Sequence, residues 1–108
     1  MTGFALFGVS YNHTSYGIIS NNTAVDGGGV HNSYGSFTLF GGVILDNTAI
    51  SSGGGVYNGV QGSFTLFGGA ISKNNTKIRP KENGGGGGVH NQGDFTMSGG
   101  TISNNICT

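Results

Sequence analysis

Apolar and polar residues alternate along the chain in short runs, and the runs recur. Phe37-Thr38-Leu39, Phe64-Thr65-Leu66 and Phe95-Thr96-Met97 are each apolar–polar–apolar, the period of a strand with one buried face. Each run is followed by a Gly-Gly pair, then an Ile, then an Asn: Ile44 and Asn47, Ile71 and Asn74, Ile102 and Asn105. Each is preceded by a glycine triplet, a Val and another Asn: Val30 and Asn32, Val56 and Asn58, Val89 and Asn91. The Phe-to-Ile separation is 7 in all three copies, while Val-to-Phe is 7, 8 and 6. Such self-similarity is the primary architectural signal.

A fourth, diverged copy is expected at the N-terminus. Phe4 and Leu6 are aligned with Phe37 and Leu39, and Gly17, Ile19 and Asn22 with Gly42, Ile44 and Asn47. That alignment requires an insertion of about eight residues, roughly 9–16, and a second of about six lies within 76–83.

A repeat near 26 residues with three short apolar segments predicts one coil of a parallel β-solenoid. The expected fold is all-β, a single domain over 1–108, with three strands per coil and coils at about 1–26, 27–52, 53–85 and 86–108. Stacked coils put equivalent residues in columns. The expected core columns are Phe4, Phe37, Phe64 and Phe95; Leu6, Leu39, Leu66 and Met97; Ile19, Ile44, Ile71 and Ile102; and Val30, Val56 and Val89. With strands about 4.8 Å apart, four coils stand ~19 Å tall. Asn22, Asn47, Asn74 and Asn105 form one expected amide column, and Asn32, Asn58 and Asn91 another. Two explanations of these asparagines stand side by side: amides hydrogen-bonding along the column, and tolerance of left-handed turn geometry.

Composition narrows the function classes. Gly contributes 24 of 108 residues and charged residues 7%, with a formal net charge of zero. No electrostatic basis for nucleic-acid binding exists, and no apolar run is long enough for a spanning helix. The apolar start of the chain is too short to read as a secretory signal. One cysteine, Cys107, cannot form an internal disulfide.

The pattern GGGVYN-x-FTM-x-GGTI-x-N resembles repeats of adhesin-like surface proteins built on right-handed parallel β-helices of the pectate-lyase-like type. Gly68-Gly69-Ala70-Ile71 also resembles the GGAI motif of chlamydial polymorphic outer-membrane proteins, without that family's FxxN partner. The resemblance implies a large, surface-exposed setting, extracellular or on the cell surface, and a role in adhesion or as a structural stalk.

Candidate chemistry is sparse. Cleavage of polysaccharides needs clustered carboxylates, whereas Asp26, Asp46, Glu82 and Asp94 fall in four different columns, so no enzyme, catalytic residue, cofactor or metal site is expected. His31 and His90 share a column with Tyr57 between them, two coils apart, too far for one metal ion. Tyr11, His13 and Tyr16 in the first insertion and Lys73, Lys77, Arg79 and Lys81 around the second are the candidates for ligand contact, because loops on a rigid scaffold often carry binding; the plainer readings, which the residues favour, are a loop folded back over the coil end and a solvated loop. Asn12, Asn21 and Asn74 open glycosylation sequons, a number that chance alone nearly supplies in so Asn- and Thr-rich a chain. The single Thr38–Thr65–Thr96 column lacks the second rank of an ice-binding array, since its neighbours are Phe40, Phe67 and Ser98.

A short solenoid has two ends with unpaired strand edges. The leading expectation is therefore a non-enzymatic fibre subunit or module, assembling head to tail with itself. The alternative is an adhesin-type module recognising glycan or a host surface. Neither nucleic acid nor membrane insertion is expected.

Overall fold

The computed structural model describes residues 12–15 (backbone), 17–77 and 85–108. Among them there is no helix; fifteen short strands wind into a parallel β-solenoid of about three turns. The first described turn holds β1 (Asn12–Ser15), β2 (Ile18–Ser20) and β3 (Thr23–Asp26). Then follow β4 (Val30–Asn32), β5 (Ser36–Leu39), β6 (Val43–Leu45) and β7 (Thr48–Ser52). The next turn is β8 (Val56–Asn58), β9 (Ser63–Leu66), β10 (Ala70–Ser72) and β11 (Asn75–Thr76). The last is β12 (Val89–Asn91), β13 (Asp94–Met97), β14 (Thr101–Ser103) and β15 (Ile106–Cys107). Equivalent strands pair in parallel into four sheets, β1-β5-β9-β13, β2-β6-β10-β14, β3-β7-β11-β15 and β4-β8-β12.

The pairings put the columns in register. Phe37 lies opposite Phe64 and Phe64 opposite Phe95, with ring centroids 5.4 and 5.1 Å apart. Ile19, Ile44, Ile71 and Ile102 follow one another, as do Val30, Val56 and Val89. Phe37, Leu39, Phe64 and Leu66 are fully buried while Ser36, Thr38, Ser63 and Thr65 between them are half-buried, the alternation a strand imposes.

Two details differ from the expected coil. First, where three strands per turn were expected, turns hold three to four. The fourth sheet (β3, β7, β11, β15) carries no apolar stripe because it faces glycine rather than side chains. Within the triplet 53–55, Gly53 turns the chain at φ 68°. A Cβ on Gly54 would sit 2.6 Å from the Asn75 carbonyl oxygen, and one on Gly55 2.9 Å from Ile71 Cγ2 and 3.0 Å from Asn74 Nδ2. Backbone therefore meets backbone between this sheet and the triplet, and only small inward residues fit, Ala49 and Thr76 being fully buried there.

Second, the place above Phe37 belongs to His13, with Thr14 above Thr38 and Ser15 above Leu39; Phe4 and Leu6 lie outside the described residues. The expected loop at 9–16 is thus partly strand β1. The register is set at the corner, where Gly17 O accepts from Val43 N as Gly42 O accepts from Ala70 N. The corner is one residue shorter than its counterparts, four positions separating His13 from Gly17 where five separate Phe37 from Gly42, so neither residue type nor repeat spacing predicts this pairing.

The two ends differ. Ile19 in the first turn is 1% exposed, whereas Ile102 in the last is 36%, Met97 47% and Ile106 54%. Among the described residues the apolar columns are therefore open to solvent only at the last turn.

The glycine geometry makes a contrast testable by chemical denaturation. Gly54→Ala should destabilise by more than about 2 kcal/mol, through displaced backbone in two neighbouring turns. Gly41→Ala, where a Cβ meets nothing within 4 Å and φ is not positive, should change stability by less than about 0.5 kcal/mol.

Candidate functional site

The most ordered polar arrangement is internal. Asn22, Asn47, Asn74 and Asn105 form a hydrogen-bonded ladder. Asn47 Oδ1 accepts from both the backbone N–H and the Nδ2 of Asn22 (3.1 and 3.0 Å). Asn74 Oδ1 accepts the same pair from Asn47 (3.0 and 3.0 Å), and Asn105 Oδ1 from Asn74 (2.9 and 3.0 Å). The other Nδ2 hydrogen reaches back to the preceding turn: Asn47 to Ile19 O, Asn74 to Ile44 O and Asn105 to Ile71 O. Asn47 and Asn74 are fully buried, so each side-chain amide is satisfied by its neighbours in the stack rather than by water.

A second ladder runs beside the glycine triplets. Asn32 Nδ2 donates to Asn58 Oδ1 at 2.9 Å and Asn58 Nδ2 to Asn91 Oδ1 at 2.8 Å. The same nitrogens donate to carbonyls of the following corner, Asn32 to Gly35 O and Asn58 to Gly62 O. Of the two explanations left open for these asparagines, the amide ladder accounts for both columns. The left-handed conformation falls one residue earlier, on Asn21, Asp46, Lys73 and Asn104, with φ from 55 to 60°.

The outer surface carries an aromatic stack. His31 and Tyr57 have ring centroids 4.7 Å apart, and Tyr57 and His90 5.4 Å apart with planes 5° from parallel. A carbonyl only accepts, so His31 Nδ1 carries the proton given to Asp26 O (3.1 Å), and Nε2 accepts from the Ser33 hydroxyl (2.8 Å). The Tyr57 hydroxyl donates to Gln92 Oε1 at 2.8 Å. Of these rings, His31 and Tyr57 border an open groove of about 330 Å³, lined also by Tyr34, Gln61 and Gln92. The rings turn their faces to one another along the stack, leaving edges and polar atoms to the groove. The glutamines were missed in the sequence reading because they sit at different places in their repeats, one in the corner after β8 and one after β12.

The other candidate residues are not brought together. Asp26 ends β3, Asp46 occupies a left-handed corner and Asp94 opens β13; Glu82 is outside the described residues. Among the described residues no group of three or more His, Cys, Asp or Glu could hold a metal ion. Lys73 and Lys77 are exposed, whereas Arg79 and Lys81 lie outside the described residues, as do Tyr11 and Tyr16. His13 stands in strand β1, not in a loop. Of the sequon asparagines, Asn21 is exposed at its corner and Asn12 opens β1 opposite Ser36. Asn74 is corrected: its amide is fully buried and committed to the ladder, so the folded protein offers nothing there to a glycan.

The chain matches no protein-family model, no curated protein and no solved structure.

The ladder makes a quantitative claim. Asn74→Ala strands the buried N–H and Nδ2 donors of Asn47, and each unsatisfied buried group costs about 1–3 kcal/mol. Urea denaturation should show a loss of about 3 kcal/mol or more. The exposed Ser103→Ala, at a position without left-handed backbone, should stay within about 1 kcal/mol.

Proposed function

We propose that this chain is a non-enzymatic structural module, a β-solenoid segment of an extracellular or cell-surface fibre that extends by stacking coil on coil. The observation that carries the reading is the open last turn. Its strands are in register with the turn above, yet Met97, Ile102 and Ile106, which continue or flank the core columns, are left to solvent. Four edge strands also present unpaired N–H and C=O groups there among the described residues. Such an edge pairs with a further strand unless charge, a bulge or a cover prevents it, and β12–β15 contain one charged residue, Asp94. The low charge of the whole chain offers no long-range repulsion between copies. The resemblance to adhesin-like surface repeats supports the same setting.

A second reading, recognition of an uncharged glycan, is favoured by the groove beside the His31–Tyr57–His90 stack. It combines hydroxyl, amide and imidazole groups with Tyr34, 60% exposed, and among the described residues no carboxylate or lysine lines it.

Electron microscopy and sedimentation of the purified chain test the first reading. Thin filaments with an axial spacing near 4.8 Å in fibre diffraction are expected. Ile106→Lys, a change at an exposed position, should leave the circular dichroism spectrum intact and suppress assembly at least tenfold. A monomer at high concentration would refute the reading. For the groove, neutral oligosaccharides on a glycan array should be retained by the wild type and lost with Tyr34→Ala; equal retention by both would dismiss that surface.

A further inference from the structure

The groove lies at a corner whose length varies from turn to turn. Val to Phe takes 7, 8 and 6 residues in successive turns. Asn32, Asn58 and Asn91 are in register, so the residues that follow them, Ser33, Gly59 and Gln92, share a column. Backbone bonds carry the pairing into the corner, Gly59 N–H to Asn32 O and Gln92 N–H to Asn58 O, both 2.8 Å. The middle member of this column has no side chain. A gap in side chains is left over Gly59, with Ser33 above it and Gln92 below, their turns about 9.6 Å apart at two strand spacings. All three residues line the groove. Beside the gap, Gly62 N–H donates to Gly59 O at 2.9 Å and closes a tight turn with Val60 and Gln61 at its centre. Val60 is the most exposed large apolar side chain among the described residues.

Hydrogen bonds around the groove fix what each wall offers. His31 Nδ1 donates to Asp26 O, so Nε2 takes the Ser33 hydroxyl proton at 2.8 Å, and Ser33 Oγ presents lone pairs only. Tyr57 gives its hydroxyl proton to Gln92 Oε1 at 2.8 Å, which orients that amide. Gln92 Nε2 keeps both hydrogens, since no oxygen among the described residues accepts from it. An acceptor wall and a donor wall therefore flank the gap, and among the described residues no carboxylate, lysine or arginine lines it. A secondary amide held between two strands meets the same arrangement, its N–H to one side and its C=O to the other. We propose that the groove recognises the acetamido group of an N-acetylated hexosamine in a neutral glycan. The acetamido N–H donates to Ser33 Oγ, its carbonyl accepts from Gln92 Nε2, and its methyl group packs on Val60. This inference rests on the glycan reading above and adds the class of sugar. A plain sugar hydroxyl is matched less selectively, because it donates or accepts with equal ease and carries no methyl to bury.

Equilibrium binding of the chain to tetrasaccharides tests this. Oligomers of N-acetylglucosamine or N-acetylgalactosamine should bind at least tenfold more tightly than glucose and galactose oligomers of the same length. Gln92→Glu, at an exposed position, still accepts from Tyr57 but puts a carboxylate oxygen where the donor was. It should abolish the preference while leaving the circular dichroism spectrum unchanged. Ser33→Ala removes the opposite wall's acceptor, should lower the preference at least fivefold, and serves if the first variant does not fold. Equal binding of acetylated and plain sugars by the wild type overturns the acetamide assignment and leaves the glycan reading standing. A preference that survives in the folded variants overturns it as well. So does an acetyl-lysine peptide bound as tightly as the sugars, which would make the ligand a modified protein. Absence of binding to every neutral oligosaccharide overturns the glycan reading and this inference together.

Discussion

Everything in this molecule depends on a backbone-to-backbone approach that only glycine permits. Where the triplets lie against the neighbouring sheet, a single methyl group would collide with carbonyl oxygens of two other segments, as at Gly54 with Asn75 O. That approach fixes the cross-section of each turn. With the cross-section fixed, equivalent residues fall over one another, and the aromatic and aliphatic columns and the amide ladders become possible. Loosening it in one turn would shift the register of the strands on either side, since each turn contacts chiefly its neighbours.

The ladders and the apolar columns do different work. Burial of Phe37, Phe64, Ile44 and Ile71 supplies the non-directional part of the stability, at about 1.5–3 kcal/mol for each large side chain fully removed from water. Such burial tolerates small shifts. The asparagines do not, because an amide one residue out of place would leave buried donors without acceptors. The apolar columns make stacking favourable; the amides select the register in which it happens. A solvent-facing counterpart exists in the His31–Tyr57–His90 stack, whose spacing is inherited from the strand spacing and not set by the rings.

The asymmetry of the two ends follows from the same repetition. In the interior, every turn is both donor and acceptor to its neighbours. Among the described residues the last turn is the exposed one, with Ile102 and Ile106 open to solvent, whereas Ile19 and Asn22 in the first are buried. Function is read from that asymmetry because the lateral surface offers little else that is concentrated. Its described carboxylates are dispersed and its aromatic rings are largely occupied by one another.

The repeat spacing alone determined the solenoid class, the columns from residue 27 onward and the pairing of strands across turns, because recurring apolar residues at a fixed separation can be buried together only by stacking. It also made both asparagine columns visible, though not their hydrogen-bond direction. The tertiary structure alone decided the rest. The fourth sheet was hidden because its inward neighbours are glycines, so selection for apolar side chains never marked it. The first-turn partner of Phe37 was misassigned for a related reason: β1 is Asn-His-Thr-Ser, without apolar alternation, and the corner joining it to Gly17 is one residue shorter than the corresponding corners. The burial of Asn74 within a sequon, the closed first turn and the open last one likewise depend on what lies across space, which no pattern along the chain records.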